Sequence, residues 1–245
     1  VVGDAEESHM EGDKMCLQVR DTYEELPQKS LSMFDFASRD SYHRYYYKID
    51  DDCILNVKAM FGDPAFLNTK YFGRTVSRPL GGVDRKWHHL KSTTVTAKES
   101  LDLSPEMSSY CDGSTGYILN REAITKLTAQ VQSPDSVQLI SASYFEDKLI
   151  GDLMFKAGVE FSNSGYNTVI KRSIASGRDV QIWDYGLLPN SETNIKVLHT
   201  EDDDFRLNYY SKLHGAEPEI PELLYRDVTS NMSPVWFSGK EQAPV

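Results

Sequence analysis

The protein has 245 residues, and at roughly 150 residues per domain this length predicts one large domain or two small ones, of which we take one as the default. Its composition, 40% hydrophobic and 26% charged, is typical of a folded globular chain and excludes a disordered one. With 37 acidic and 26 basic residues, the formal net charge is −11, and the resulting field repels phosphate backbones and anionic membrane surfaces. We therefore expect no sequence-independent binding to nucleic acid.

Neither a membrane span nor a secretory signal is predicted in this chain. No run approaches the roughly 20 apolar residues that cross a bilayer, and the first residues lack a basic region followed by an apolar one. The three cysteines, Cys16, Cys53 and Cys111, show no CxxC spacing. They predict free thiols rather than a disulfide framework or a structural zinc site.

The first half of the chain shows a helix, a strand and a second helix. Apolar residues at helical spacing from Leu26 to Ala37, with Pro27 in the first turn, predict a helix within 16–40. The aromatic run Tyr45–Ile49 predicts a buried strand that ends in three carboxylates. Asn56 is placed to cap a helix that runs to about Phe66.

The second half continues the alternation. Residues 71–73 and Val76 predict strand and 79–82 predict a turn, while Tyr117–Leu119 predicts a strand followed by an Asn120-capped helix. A further helix is predicted from Asp147 to Ala157, and an irregular tail from Pro218 onward. Strands that alternate with helices indicate an α/β architecture with a mostly parallel sheet.

Three consecutive carboxylates, Asp50, Asp51 and Asp52, follow the first predicted strand. Like charges at this spacing raise one another's pKa unless a cation relieves the repulsion, and oxygen ligands suit Mg²⁺ or Mn²⁺. An acidic triplet is also typical of a solvated loop or a capping run. The preceding strand favours the metal site, because ligands bind at the carboxyl ends of strands in α/β sheets.

A second acidic pair, Glu146-Asp147, begins a predicted helix. Acidic residues there stabilise the helix dipole, and they could equally supply a general base close to an acceptor hydroxyl. His199 ends a short apolar strand, where it is either structural or the completing ligand of a mixed Asp/His metal site. The residues alone leave both pairs of alternatives open.

Three motifs in order resemble the β-1,3-galactosyltransferase family, family thirty-one of the glycosyltransferases, which includes the Fringe-type enzymes. They are YKIDDD at residues 47–52 with Asn56, YCDGSTGYIL at 110–119, and FEDKLIG at 145–151. The family's patterns are a lysine with DDD, a YCSGGGYVLS-like segment, and EDVYVG. Asp21–Tyr23 and Arg85–Trp87 are similar to further family segments, and the resemblance covers roughly residues 1–172.

The resemblance implies a GT-A fold and inverting transfer of galactose or N-acetylglucosamine from a UDP-sugar to a glycan hydroxyl, with Mn²⁺ (or Mg²⁺) as cofactor. It implies Asp147 as the base and Asp52, Asp50 and His199 as metal ligands. The nucleotide-sugar would be bound by Asp50, Asp51 and Lys48. The sugar pocket would be lined by Trp87, Gly113, Gly116, Tyr117 and Glu146.

The sequence also departs from the family pattern. It begins inside the family's second strand, so either the chain is a fragment or another segment or chain completes the sheet and the uridine pocket. Ser114-Thr115 and Lys148 replace family residues, which bears on the choice of acceptor. We predict residues 1–205 as a GT-A-like catalytic domain and 206–245 as an irregular C-terminal extension.

Two rival functions use the same carboxylates. One is a carbohydrate-binding or scaffold protein that has kept the fold without turnover, and the other is a metal-dependent glycoside hydrolase. The sparse cysteines favour a cytoplasmic or peripheral membrane enzyme of a microbial or viral glycan pathway. The Golgi lumen is the alternative if an N-terminal anchor has been removed.

Overall fold

A computed structural model describes residues 1–40, 42–77, 92, 108–171, 182–185, 195–200 and 203–215. The chain divides into two compact units, Val1–Glu201 and Asp202–Val245. All three motifs lie in the first unit. The turn predicted at 79–82, Trp87 and the tail after residue 215 lie outside the described residues.

The first unit contains five helices among its described residues, and the second unit contains one. The helices are α1 (Leu26–Asp40), α2 (Val57–Gly62), α3 (Arg121–Val131), α4 (Val137–Ala142), α5 (Glu146–Lys156) and, in the second unit, α6 (Asp203–His214). The strands are β1 (His9–Glu11), β2 (Lys14–Cys16), β3 (Tyr45–Lys48), β4 (Cys53–Leu55), β5 (Tyr71–Gly73), β6 (Thr75–Val76), β7 (Tyr110–Cys111), β8 (Tyr117–Asn120), β9 (Phe161–Ser162), β10 (Thr168–Lys171), β11 (Ile182–Tyr185) and β12 (Val197–Thr200).

Both predicted asparagine caps are confirmed. The Asn56 side chain accepts a hydrogen bond from the Ala59 amide at 3.0 Å, and the Asn120 side chain accepts one from the Ala123 amide at 2.8 Å. Helix α2 nevertheless stops at Gly62, short of the predicted end near Phe66. Pro64 is the reason, because proline lacks an amide donor and disfavours helical backbone in the residue before it.

The described strands form two four-stranded sheets, in the orders β3-β8-β5-β9 and β11-β10-β12-β4, and two short pairs, β1-β2 and β6-β7. Of their eight pairings, only β5-β9 and β10-β12 are parallel. The predicted mostly parallel sheet is therefore wrong, and the fold is a mixed α/β arrangement. The alternation of helices and strands along the chain does not determine strand direction. A parallel pair also requires a long crossover connection, and the connection that leads to β9 runs through α3–α5.

Strand β8 lies at the centre of the first unit and is buried on both faces. Tyr117 and Leu119 pack into one apolar cluster with α1, α3 and α5, whereas Ile118 packs into a second cluster with Met60 and Tyr166. Successive side chains of a strand point to opposite faces, which explains this division. The strand that leads out of the YCDGSTGYIL motif is thus anchored from both sides.

Helix α5 approaches β7 unusually closely. At Gly151 a Cβ atom would overlap the Cβ of Tyr110, so only glycine fits without a shift of the helix or the strand. The helix then ends before Gly158, whose φ of +66° is the left-handed value that favours glycine at a helix end. The predicted helix from Asp147 to Ala157 is confirmed within one residue at each end.

Helix α6 occupies part of the segment that was predicted to be irregular from residue 206. Asp203 and Asp204 in its first turn stabilise the helix through their interaction with the helix dipole, and Arg206 pairs with Asp203. The prediction is wrong for residues 206–214, because the prolines on which it rested begin only at Pro218. The division into domains at residue 205 stays a prediction.

None of the helices in the described ranges is long and apolar enough to cross a membrane. All three cysteines lie in these ranges and are free thiols, with Cys16 and Cys111 buried and Cys53 partly exposed.

Candidate functional site

Strand pairing brings the carboxylate motifs to one edge of the central sheet. Strands β3 and β8 run antiparallel with Lys48 opposite Tyr117, so the loop that leaves β3 lies beside the turn that enters β8. The first loop contains Asp50–Asp52, and the second is a short 3₁₀ turn, Gly113–Thr115. The N-terminus of α5 reaches the same place.

Asp147 is held by two backbone amides. The Gly113 amide donates to Asp147 Oδ2 at 3.0 Å, and the Lys148 amide donates to Asp147 Oδ1 at 2.7 Å. An ionised carboxylate has about four acceptor positions, so these two bonds leave lone pairs on both oxygens. The side chain therefore has a defined orientation and can still accept a proton.

Glu146 makes different contacts from its neighbour. Its Oε1 accepts a hydrogen bond from the Tyr117 hydroxyl at 2.5 Å, and its Oε2 lies 3.4 Å from Lys48 Nζ. Burial raises the pKa of Glu146 above its ordinary value, while the positive charge of Lys48 opposes that shift. Glu146 therefore acts as an internal, cation-paired carboxylate behind Asp147.

Lys48 joins the two acidic motifs. Its Nζ lies 2.6 Å from Asp50 Oδ1 and also faces Glu146. Burial alone would lower the pKa of Lys48, but the charges of Glu146 and Asp50 outweigh it and raise that pKa. The ammonium group is therefore charged, and it ties the end of β3 to the start of α5.

Asp52 pairs with His199 rather than with Lys48. Strands β4 and β12 place the two side chains together, with His199 Nε2 3.0 Å from Asp52 Oδ2. His199 is buried, and within the described ranges its Nδ1 has no hydrogen-bond partner. The structure thus brings together Asp52 and His199, both predicted as metal ligands, while Asp51 is exposed.

The predicted three-ligand metal set is not assembled. Within the part of the chain that the structure describes, no three His, Cys, Asp or Glu side chains lie close enough together to hold a metal ion. Asp50, the third predicted ligand, pairs with the Lys48 ammonium group at 2.6 Å. Asp52 and His199 are the remaining pair.

Glycine is favoured at two places in the turn that faces these carboxylates. A Cβ on Gly113 would lie 2.9 Å from Glu146 Oε2, and Gly116 has a φ of +75° and leaves no room for a Cβ beside the Lys48 carbonyl oxygen. Tyr117, predicted as part of the pocket wall, is wholly buried in the core. We correct its position: its hydroxyl supports Glu146 from behind, because its ring belongs to the inward face of β8.

Two residues that bear on the site were not assigned to it from the sequence. Burial, followed by the negative charges of Asp147, Glu24 and Asp50, raises the pKa of Tyr23, which places this side chain near the acidic groups. Its position in the DTY segment is the available sequence signal. Lys148, which departs from the family pattern, is buried and pairs with Asp152.

The fold and the site define a mixed α/β protein in which two separate acidic motifs meet at the edge of a central sheet. The family model described as galactosyltransferase matches residues 3–164, more than half of the chain. The chain therefore belongs to the galactosyltransferase family, that of the β-1,3-galactosyltransferases. It is a glycosyltransferase, and the family implies a sugar-nucleotide donor and an acceptor. No individual curated protein matches the chain significantly.

Proposed function

We propose that this glycosyltransferase is an inverting, metal-dependent enzyme that moves galactose or N-acetylglucosamine from a UDP-sugar to a glycan hydroxyl, forming a β linkage. The observation that carries the proposal is the fixed Asp147 carboxylate, 3.0 Å from the Gly113 amide and beside the Asp50–Asp52 loop. Inversion requires a single in-line displacement at the anomeric carbon. One positioned base suffices for such a step.

In this step the acceptor oxygen forms a bond to the anomeric carbon while the bond from that carbon to the diphosphate oxygen breaks. Asp147 takes the proton of the acceptor hydroxyl, and UDP leaves with the electron pair. The two amide contacts of Asp147 keep its carboxylate oriented during the transfer. Glu146 is engaged by Tyr117 and Lys48, which leaves Asp147 as the better placed base.

Asp52 and His199 are the residues that would hold a divalent cation. The Asp52 side chain is 36% exposed and lies 3.0 Å from His199 Nε2, and an oxygen ligand together with an imidazole suits Mn²⁺ better than Mg²⁺, which prefers oxygen alone. When bound, the cation would neutralise charge on the diphosphate leaving group. Two protein ligands are enough for such an ion, since substrate phosphates and waters commonly supply the others.

Product analysis tests the proposal. The purified chain is incubated with Mn²⁺, a simple β-glycoside acceptor and either UDP-galactose or UDP-N-acetylglucosamine, and the products are separated and their anomeric configuration determined. A new β-linked glycoside with stoichiometric UDP supports the proposal. UDP binding without acceptor-dependent UDP release would instead indicate a binding or scaffold protein, and sugar release from a glycoside without a nucleotide donor would indicate a hydrolase.

A further inference from the structure

Side chains contact the carbonyl oxygens of the 113–116 turn. Each of its four consecutive carbonyl oxygens lies within hydrogen-bond distance of a side-chain donor. Lys48 Nζ reaches Gly113 O (3.5 Å), Cys53 Sγ reaches Ser114 O (3.1 Å), and the single hydroxyl proton of Tyr166 is shared between Thr115 O (2.7 Å) and Gly116 O (2.9 Å). The strongest of these contacts, by distance, belong to Tyr166.

Tyr166 is itself fixed by its surroundings. It is buried, its ring meets that of Phe72 edge-on at 5.2 Å, and its hydroxyl lies 2.8 Å from that of Tyr47. The Tyr47 hydroxyl also reaches Thr115 O at 3.3 Å. Burial raises the pKa of both tyrosines, so both hydroxyls keep their protons.

The opposite side of the same turn meets the reaction centre, where the Gly113 amide donates to Asp147. The Thr115 carbonyl shares a rigid peptide plane with the Gly116 amide, and this amide donates to Gly113 O at 3.1 Å, so a bond that fixes the Thr115 carbonyl also holds the Gly113 end of the turn. Glycines at 113 and 116 give this backbone more freedom than other residues would. Side-chain contacts must therefore supply the order that the glycines remove.

We propose that Tyr166, supported by Tyr47, is a positioning residue for sugar transfer: it holds the 113–116 turn so that the Gly113 amide orients the Asp147 carboxylate. This inference rests on the proposed role of Asp147 as base. The Tyr166 hydroxyl contacts Tyr47 and the turn carbonyls rather than the carboxylate. Its effect reaches the reaction only through the turn.

Three tyrosine-to-phenylalanine variants test the proposal. Tyr166→Phe removes the contacts to Thr115 and Gly116, and Tyr47→Phe removes the outer hydroxyl. Tyr45→Phe is the matched control, because it deletes a tyrosine–carbonyl bond of 3.0 Å to Leu67 O, away from the turn. Hydrogen–deuterium exchange of the peptide covering residues 113–116 is measured for each variant, with kcat and KM for the UDP-sugar and the thermal midpoint.

In Tyr166→Phe we expect exchange in this peptide to rise about five- to tenfold, the loss expected for one hydrogen bond. The kcat should fall about tenfold while KM for the donor stays within twofold, because misorienting a catalytic group slows the chemical step. Tyr47→Phe should show a smaller change in the same direction. Tyr45→Phe should match the parent protein in exchange and in kcat.

Unchanged exchange and kcat in Tyr166→Phe would overturn the inference, as would a fall in kcat that Tyr45→Phe reproduces. Should Tyr166→Phe not fold, Tyr47→Phe decides in the same way, since it leaves the buried ring of Tyr166 in place. If the parent protein transfers no sugar, the proposed function has failed and the exchange measurement still decides whether Tyr166 holds the turn.

Discussion

The two acidic motifs of the site are held in opposite ways. Glu146 and Asp147 begin a helix, and the chain's own donors, Tyr117, Lys48 and two backbone amides, occupy both carboxylates. In the Asp50–Asp52 loop, Asp51 is exposed, and the Asp52 side chain is 36% exposed although it bonds to His199. One motif is organised by the protein itself, and the other retains capacity for a ligand.

This difference separates two tasks that a displacement reaction requires. A base must be oriented before the acceptor arrives, whereas groups that bind a cation and a diphosphate must remain accessible to those ligands. Lys48 connects the two motifs, because its ammonium group pairs with one carboxylate in each, Asp50 and Glu146. Substitutions in the two motifs should therefore affect different measured quantities.

The largest effect is expected from Asp147→Asn. We expect turnover to fall by about 10²- to 10⁴-fold, the usual contribution of a general base, while UDP affinity in the presence of Mn²⁺ changes little. Glu146→Gln is the matched control, since it alters the neighbouring carboxylate. Near-normal turnover in Asp147→Asn together with loss of turnover in Glu146→Gln would move the base by one residue.

Lys48→Met should lower the free energy of unfolding by about 3 kcal/mol at pH 7, because it leaves Glu146 buried without its cation. The folded-state pKa of Glu146 is raised, so its ionised form costs stability as the pH rises through that pKa. The deficit of the variant should therefore shrink as the pH is lowered and Glu146 becomes protonated.

Urea unfolding of Lys48→Met at several pH values measures this deficit. Lys70→Met serves as the control, because Lys70 pairs with Glu122 at 2.5 Å on the exposed surface, where an ion pair contributes little. A deficit that stayed constant with pH would show that Glu146 is not the group left uncompensated.

Asp52→Ala tests the motif that retains capacity for a ligand. We expect Mn²⁺-dependent UDP affinity to fall by about 10- to 100-fold, because a carboxylate ligand of the cation is lost. Isothermal titration calorimetry with UDP and Mn²⁺ measures the change, and Asp51→Ala, at the exposed neighbouring position, is the control. Equal binding by Asp52→Ala and the parent protein would remove Asp52 from the metal assignment.

The smallest effect is expected at an ion pair outside both motifs. Asp63→Asn should cost about 1 kcal/mol at pH 7, because it removes the charge that faces the buried Lys196 at 2.5 Å and keeps an acceptor for the Ala65 amide. The bond to Lys196 lowers the pKa of Asp63 below its ordinary value of 3.8, so its contribution is present above that pH.

The cost of Asp63→Asn should accordingly shrink as the pH falls below about 4 and the parent carboxylate becomes protonated. Thermal unfolding of the two proteins at pH 7 and pH 3 measures it. A cost of the same size at both pH values would assign the effect to packing rather than to charge.

Local sequence signals predicted the elements of the site well. The Asn56 and Asn120 caps, the strand before Asp50 and the helix that begins at Glu146 all depend on neighbouring residues, whose preferences act over a few positions. The family motifs identified the correct family. Helix α2 was predicted too long only because the effect of Pro64 was not applied.

Long-range arrangement was harder to predict, because it depends on partners far apart in the chain. Nothing in the apolar run at Tyr117 shows that β8 would pair antiparallel with strands on both sides. The pairing of Asp50 with Lys48, which also faces Glu146, likewise depends on how α5 is placed. Tyr166 carried no motif, and only the packed structure brings it under the turn.

Gly151 couples the position of Asp147, the proposed base, to the close approach between α5 and Tyr110. Glycine inside a helix costs roughly 1 kcal/mol in helix propensity relative to alanine, so packing of α5 against Tyr110 must offset that loss. Asp147 lies one turn earlier on the same helix face, and β7 continues into the turn that contains Gly113. A methyl group added at 151 would push α5 away from β7 and so separate Asp147 from the Gly113 amide that donates to it.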